Sequence, residues 1–203
     1  MQTLNFTLFT DRHGLGEELF KFLKLLEIKL GDGVWLAGGA IRRTIQGAKL
    51  DSDFDFFFQS EEKFQEFLNL ILKGGRVELL EHTKTEHNEQ LKVKSIVNNQ
   101  EYILQLIKID YYPTLADCLE TFDYTICQFG LDGETLYAGD FSLWDLGRKR
   151  LAVNQITFPV ASLRRLLKYS KQGFYACTGC LQTILQSAVN NPDALNSKVK
   201  YID

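Results

Sequence analysis

No apolar run in this 203-residue sequence is long enough to cross a bilayer. The polar, threonine-containing N-terminus lacks the pattern of a secretory leader. Both absences lead us to expect a cytoplasmic protein with no membrane partner. Methionine is nearly absent, one residue against fifteen phenylalanines, so the interior is expected to be rigid and aromatic. His13, His82 and His87 are the only histidines, and no two have metal-ligand spacing; they are read as surface or core-edge residues. Of the four cysteines only Cys177 and Cys180 form a CxxC, without a second pair or a nearby histidine, which leaves little room for a zinc framework. No thioredoxin-like strand precedes that pair. Plain core thiols of a reduced compartment are therefore preferred to a redox role. Repeats, low-complexity segments and linkers are also missing, so the chain is expected to be one domain, or one domain with a small appendage.

Acidic residues are absent from one long stretch. Between Leu146 and Pro192 there is no Asp or Glu, while Arg148, Lys149, Arg150, Arg164, Arg165, Lys168 and Lys171 fall there, against a formal net charge of −3 for the whole chain. A basic C-terminal third on an acidic protein suggests an anion site for nucleotide phosphates or a nucleic-acid backbone; the alternative is a solvated charged face.

What the chain does contain is concentrated in residues 34 to 58. A short apolar strand, Val34 to Ala37, runs into Gly38 and Gly39, which open a short helix ended by Gly47. Glycines let the backbone turn sharply and approach a ligand, and the free N–H groups of a following helix suit a phosphate. A second strand then carries Asp53 and Asp55. Two residues apart on a strand, they share a face, with Phe54, Phe56 and Phe58 on the other. Paired carboxylates opposite a phosphate cradle suit Mg²⁺ (or Mn²⁺), whose ions can clamp the attacking and leaving oxygens of a phosphoryl-type displacement. The bland alternative is an edge strand with a solvated acidic face.

Elsewhere, residues 3 to 9 read as a short strand or arm, and Leu19, Phe22, Leu23, Leu26 and Leu30 mark a helix over 15–30. Ser60 followed by Glu61 and Glu62 starts a helix whose core face is Phe64, Phe67, Leu68 and Ile71, ended by Gly74 and Gly75. Strands are expected at 76–83, 90–97 and 101–109, with a turn at Asn98-Asn99. A helix is expected at 114–121, strands at 124–131 and 135–137, and helices at 140–147, 160–172 and 178–190. Arg164, Lys168 and Lys171 would line one face of the penultimate helix, with Leu163, Leu166, Leu167 and Ser170 opposite.

Gly38-Gly-Ala-Ile-Arg42, then Gly47, then Asp53-Phe-Asp55 resembles the head-domain motif of the class II poly(A) polymerases and tRNA CCA-adding nucleotidyltransferases: Gly-Gly-x-x-Arg-Asp, a glycine, then Asp-x-Asp. The resemblance continues in order through Phe122 to Gly133, Trp144 to Leu151 and Leu163 to Phe174, covering about residues 34–175. It implies an α+β fold: a nucleotidyltransferase-like mixed sheet with flanking helices and a helical C-terminal cap. The head-like domain would span 1–158, with the cap, 159–203, packed on it as a single compact unit. By the same resemblance Gly38, Gly39 and Arg42 hold the triphosphate, Asp53 and Asp55 are the catalytic metal ligands, and Asp123 faces the nucleotide sugar. Arg164 and Lys168 would neutralise the phosphate tail or an acceptor's backbone.

This sequence departs from the motifs at several positions. Arg43 stands in place of an aspartate, Thr121 and Phe122 in place of two arginines, and Cys127 in place of an asparagine. The third carboxylate falls at Gln105, leaving Asp110 or Asp123 as substitutes. The sequence ends before the neck, body and tail domains of CCA-adding relatives, and the base-templating motif is not evident. The expected activity is therefore Mg²⁺-dependent transfer of a nucleoside monophosphate from an NTP to a hydroxyl, first of all a tRNA-like RNA 3′ end. The contrasting expectation is an inactive fold that serves as a nucleotide- or protein-binding, inhibitory module. A third is a subunit whose protein partner supplies acceptor recognition.

Overall fold

A computed structural model describes residues 1–193. Residues 194–203, the end of the expected 159–203 cap, lie outside the described residues. The chain divides into two compact units. The first is Met1–Leu119 with Phe129–Ala138, and the second is Glu120–Gln128 with the described residues from Gly139 onward. The expected boundary at 158/159 thus falls inside the second unit.

The first unit begins with β1 (Gln2–Asn5), α1 (Phe6–His13), α2 (Glu17–Leu25), β2 (Val34–Ala37), α3 (Gly39–Ile45), β3 (Phe54–Phe58) and α4 (Glu61–Lys73). It continues with β4 (Val77–Lys84), β5 (Asn88–Ser95), β6 (Glu101–Ile107), α5 (Leu115–Glu120), β7 (Phe129–Asp132) and β8 (Thr135–Ala138). All eight strands join one mixed sheet in the order β1-β8-β7-β2-β3-β6-β5-β4. Among the described residues its only parallel pair is β3 with β6, near the centre. The β4–β5–β6 meander turns between its last two strands at Asn99, whose positive φ of 57° suits the asparagine there.

The alternation on β3 places the core. Phe54, Phe56 and Phe58 are 3%, 0% and 0% exposed. Phe54 stacks on Phe22 of α2 at 3.7 Å, while Phe56 and Phe58 meet Phe67 and Phe64 of α4 at 4.6 and 5.3 Å. Each such ring stabilises the fold by about 2 kcal/mol on burial. That anchorage fixes the strand's register and so the side on which Asp55 must emerge. α4 starts as expected, with the Ser60 hydroxyl accepting the Lys63 N–H at 3.3 Å.

Some expected elements are corrected. The 3–9 strand stops at Asn5, whose side chain caps α1 by accepting the Leu8 N–H at 2.8 Å, so residues 6–9 are helical. The 15–30 helix is shorter: α2 ends at Leu25, and Glu27 adopts a φ of 55°. Leu26 and Ile28 stay buried beyond that end, so the apolar spacing outlasts the helix that suggested it.

In the second unit Tyr124 makes a single bridge with Val153 and leads into a 3-10 turn, Thr125–Cys127, where a continuous strand over 124–131 was expected. There follow α6 (Ser142–Gly147), β9 (Arg150–Leu151), α7 (Pro159–Lys171), β10 (Tyr175–Ala176) and α8 (Thr178–Asn190). β9 and β10 pair in parallel. Asp145 is one buried polar anchor of this unit. One oxygen accepts the Thr125 hydroxyl at 2.6 Å, and the other accepts Arg150 Nε at 2.6 Å. Gly139 sits so close to Gln128 Oε1 and Ser142 Oγ that a Cβ would lie 2.5 Å from each. The buried face of α7 is Pro159, Ala161, Ser162 and Leu166, whereas Leu163 and Leu167 are exposed, contrary to the expected apolar side. No helix among the described residues is long and apolar enough to cross a membrane.

Candidate functional site

At the centre of the first unit's sheet, Ala37 pairs with Asp55 and Asp55 pairs with Gln105. Cross-strand partners point to the same face, so Asp55 and Gln105 stand side by side. Asp53 lies one residue before β3, and Gln105 Nε2 donates to its Oδ2 at 2.7 Å. The fold therefore brings Asp53, Asp55 and Gln105 together on the face opposite the phenylalanines.

Gly38 follows Ala37 directly. Its φ of 83° and ψ of −129° belong to a region essentially restricted to glycine, and its N–H is fixed to the Phe129 carbonyl at 2.7 Å. Gly39 is different. A Cβ there would meet Ser52 Oγ at 3.8 Å, an ordinary contact, so the backbone does not demand a glycine. The Ser52 hydroxyl beside it is shielded from solvent and has no protein hydrogen-bond partner among the described residues. Buried hydroxyls are rarely left so, and a bound oxygen would satisfy this one.

Arg42 is buried, 4% exposed, on α3. Arg43, standing where the resembling motif has an aspartate, reaches forward instead. Its Nη1 pairs with Asp51 at 2.7 Å and donates to the Lys49 carbonyl at 3.3 Å. The Glu18 carboxylate accepts the Leu50 N–H at 3.0 Å. These bonds fix the loop that delivers Asp53.

Two carboxylates fit a magnesium ion that takes its remaining ligands from substrate phosphates and water. A third does not join them: among the described residues no group of three or more His, Cys, Asp or Glu side chains could hold a metal. Asp110, one suggested substitute, is exposed beyond the end of β6 and accepts the N–H of Tyr111 at 2.8 Å. The position itself carries an amide, and that amide donates to Asp53.

Asp123, the other suggested substitute and the residue assigned to the nucleotide sugar, lies in the second unit and is 7% exposed. Its Oδ2 accepts Arg165 Nη1 at 2.9 Å and Ser162 Oγ at 3.0 Å. Burial pulls the Arg165 pKa down, but the Asp123 charge and hydrogen bond outweigh it and raise it above the ordinary arginine value. Tyr124 donates its hydroxyl to the Ser162 carbonyl at 2.6 Å, and burial pushes that phenol up. Cys127 lies 3.1 Å from the Tyr169 hydroxyl. Arg164 and Lys168 are exposed on α7. The α7 partners of Asp123 are thus Ser162, which no motif marks, and Arg165, which the sequence marks only as one of the basic residues of the acid-free stretch. Their i, i+3 spacing on one helix face was the available signal.

A family model described as Gabija anti-defense 2 family protein matches residues 6–149. Gabija anti-defense 2 of Bacillus phage SPbetaL7 is 29% identical over 163 residues, which is 79% of this chain and 37% of that relative. Among solved structures, the Thermotoga maritima CCA-adding enzyme complexed with tRNA_CCA superposes with a TM-score of 0.66 at 17% identity, over 94% of this chain and 47% of that one. A CCA-adding enzyme in complex with CTP gives 0.68 at 16% identity, over 97% and 49%. The chain therefore spans about half of the solved structures and 37% of the phage relative. At such identities the structural likeness is one of fold, and the fold is nucleotidyltransferase-like. The sequence match settles the family: the chain belongs to the Gabija anti-defense 2 family.

Proposed function

We propose that this protein acts against a Gabija defence system as a nucleotidyltransferase, moving a nucleoside monophosphate from an NTP to a hydroxyl acceptor. The observation that carries the reading is the pairing of Asp55 with Ala37, which sets Asp55 beside the glycine turn, with Asp53 held by the neighbouring Gln105. Mg²⁺, held by Asp53 and Asp55, would neutralise charge on the reacting phosphates. The protein's own groups orient the substrate. The turn at Gly38 lets the backbone come close to the phosphates, and the Ser52 hydroxyl donates to one of their oxygens. Gln105 keeps Asp53 Oδ2 fixed, so that Oδ1 faces the ligand. Arg164 and Lys168 stay assigned to phosphate or acceptor backbone, and Asp123 to supporting the sugar, through the α7 pair that holds it. The acceptor named first is an RNA 3′ end, because nucleotide addition to tRNA is the setting of the similar solved structures. A protein hydroxyl of the defence machinery is the alternative acceptor.

A second reading rests on Gln105. An amide in place of a third carboxylate weakens metal binding and the positioning of the attacking hydroxyl, as expected of a nucleotide- or protein-binding inhibitory module. The family's anti-defence name is compatible with this reading too. Pyrophosphate release separates the two. Each NTP is supplied with Mg²⁺ or Mn²⁺, with and without RNA, to the wild type and to Asp53→Asn. Release by the wild type alone supports transfer. Absence of release with retained nucleotide binding supports the inhibitory module.

A further inference from the structure

Cys177-Thr-Gly-Cys180 is a sequence motif that the proposed chemistry leaves unused. In the structure Cys177 is the N-cap of α8, and Cys180 lies one helical turn further on. The two thiols are free and differ in access: Cys177 is exposed and Cys180 is 3% exposed. Cysteine is not among the side chains that cap helices well, and Cys177 makes no capping hydrogen bond. Helix capping therefore does not account for it. Its sulfur lies on the side of the first turn, 3.9 Å from where a Cβ on Gly179 would sit. An N-cap side chain in that attitude faces the residue three places on, the geometry by which a serine cap reaches its partner. Residues three apart within a helix have Cβ atoms about 5–6 Å apart, wider than the roughly 3.5–4.5 Å of a disulfide, so closure requires the non-helical N-cap residue to rotate. Gly179 puts no side chain in the way.

We propose that Cys177 and Cys180 form a reactive dithiol, closed to an internal disulfide by a small disulfide oxidant of the oxidised-glutathione type. The exposed Cys177 thiolate attacks one sulfur of the oxidant, forming a mixed disulfide and expelling one glutathione thiolate. Cys180 then gives its proton to solvent and attacks the Cys177 sulfur, releasing the second glutathione thiolate. Two protein thiols are oxidised and one disulfide is reduced to two thiols, so electrons balance. Burial, with smaller contributions from Cys177 and Asp123, pushes the Cys180 thiol up to about 11, so the second step should quicken as pH rises. Cys118 and Cys127 are buried and out of reach of the oxidant, which makes the reaction selective.

The test treats the folded full chain with oxidised glutathione, quenches with acid, alkylates under denaturing conditions and maps the peptides by mass spectrometry. The expected product is a Cys177–Cys180 peptide lighter by two hydrogens and reversed by dithiothreitol, with Cys118 and Cys127 alkylated. Cys180→Ser should stop at a glutathione adduct on Cys177, and Cys177→Ser should leave Cys180 unmodified. A wild-type protein that keeps the glutathione adduct on Cys177, or in which Cys177 stays a free thiol, overturns the proposal. Phenylarsine oxide gives an independent check, since it should bridge both sulfurs of the wild type and of neither single variant.

Discussion

In the first unit Asp53 is held by a neutral amide, Gln105, at 2.7 Å. In the second, Asp123 is held by a guanidinium and a hydroxyl, at 2.9 and 3.0 Å. The difference is one of remaining charge. A carboxylate that accepts a bond from an amide keeps its negative charge for a ligand. One closed against arginine has its charge matched within the fold, and removing either partner strands the other. On the proposed function Asp53 is the carboxylate left for a cation, while Asp123 ties α7 to the segment before the 3-10 turn.

Neutralising each carboxylate should separate the two most strongly. Asp53→Asn should lower pyrophosphate release by about 100-fold or more, the scale of losing a charge-stabilising group, with the melting temperature nearly unchanged. Asp123→Asn should do the reverse as its first effect, destabilising the protein by about 2 kcal/mol through the stranded Arg165, as read by urea titration. Equal loss of stability in both variants would erase the distinction. Gln105→Glu sharpens it. It adds a third acid beside Asp53 and Asp55, so the Mg²⁺ concentration needed for half-maximal nucleotide binding should fall several-fold. Without the metal, like charges should cost about 1 kcal/mol of stability.

Glu89 gives the smallest effect and a third kind of holding. Its side chain is 6% exposed and accepts bonds from His82 at 2.7 Å and Lys108 at 3.2 Å. Burial raises its pKa, but those bonds and the lysine charges outweigh it, leaving the carboxyl below its usual 4.5. A depressed carboxylate contributes stability that is present above the unfolded value and lost as pH falls through the folded one. The melting-temperature gap between wild type and Glu89→Gln should therefore be full at neutral pH and shrink below 4.5.

The sheet's central strands were legible because local pattern and tertiary need agree there. Phe54, Phe56 and Phe58 alternate with Asp55 and Phe57, and burial follows that alternation residue by residue. The eight-strand order could not be read, since strand partners such as Ala37 and Gly130 are set by long-range pairing. Gly38 was legible as a turn. Gly39 was chosen for the same reason, yet it has an unremarkable backbone and room for a Cβ. Asp123 was found by motif order, but its partners were not. A basic stripe on α7 drew attention to Arg164 and Lys168, and the residue that reaches the carboxylate is Arg165, off that stripe. The Arg43–Asp51 pair was hidden as well, because a charge that departs from a motif says nothing of where it goes.

The parallel pairing of β3 with β6 also has a consequence for the order of assembly. Asp55 and Gln105 are neighbours in the sheet, but the whole of α4 and the β4–β5 hairpin arm lie between them in the chain. The helix and the hairpin can form from local contacts; the parallel pair must first close that long loop. On a ribosome the aspartates emerge well before the glutamine that fixes one of them. Until β6 docks, Asp55 stands on a strand edge with no neighbour on that side, and Asp53 has no amide to hold it.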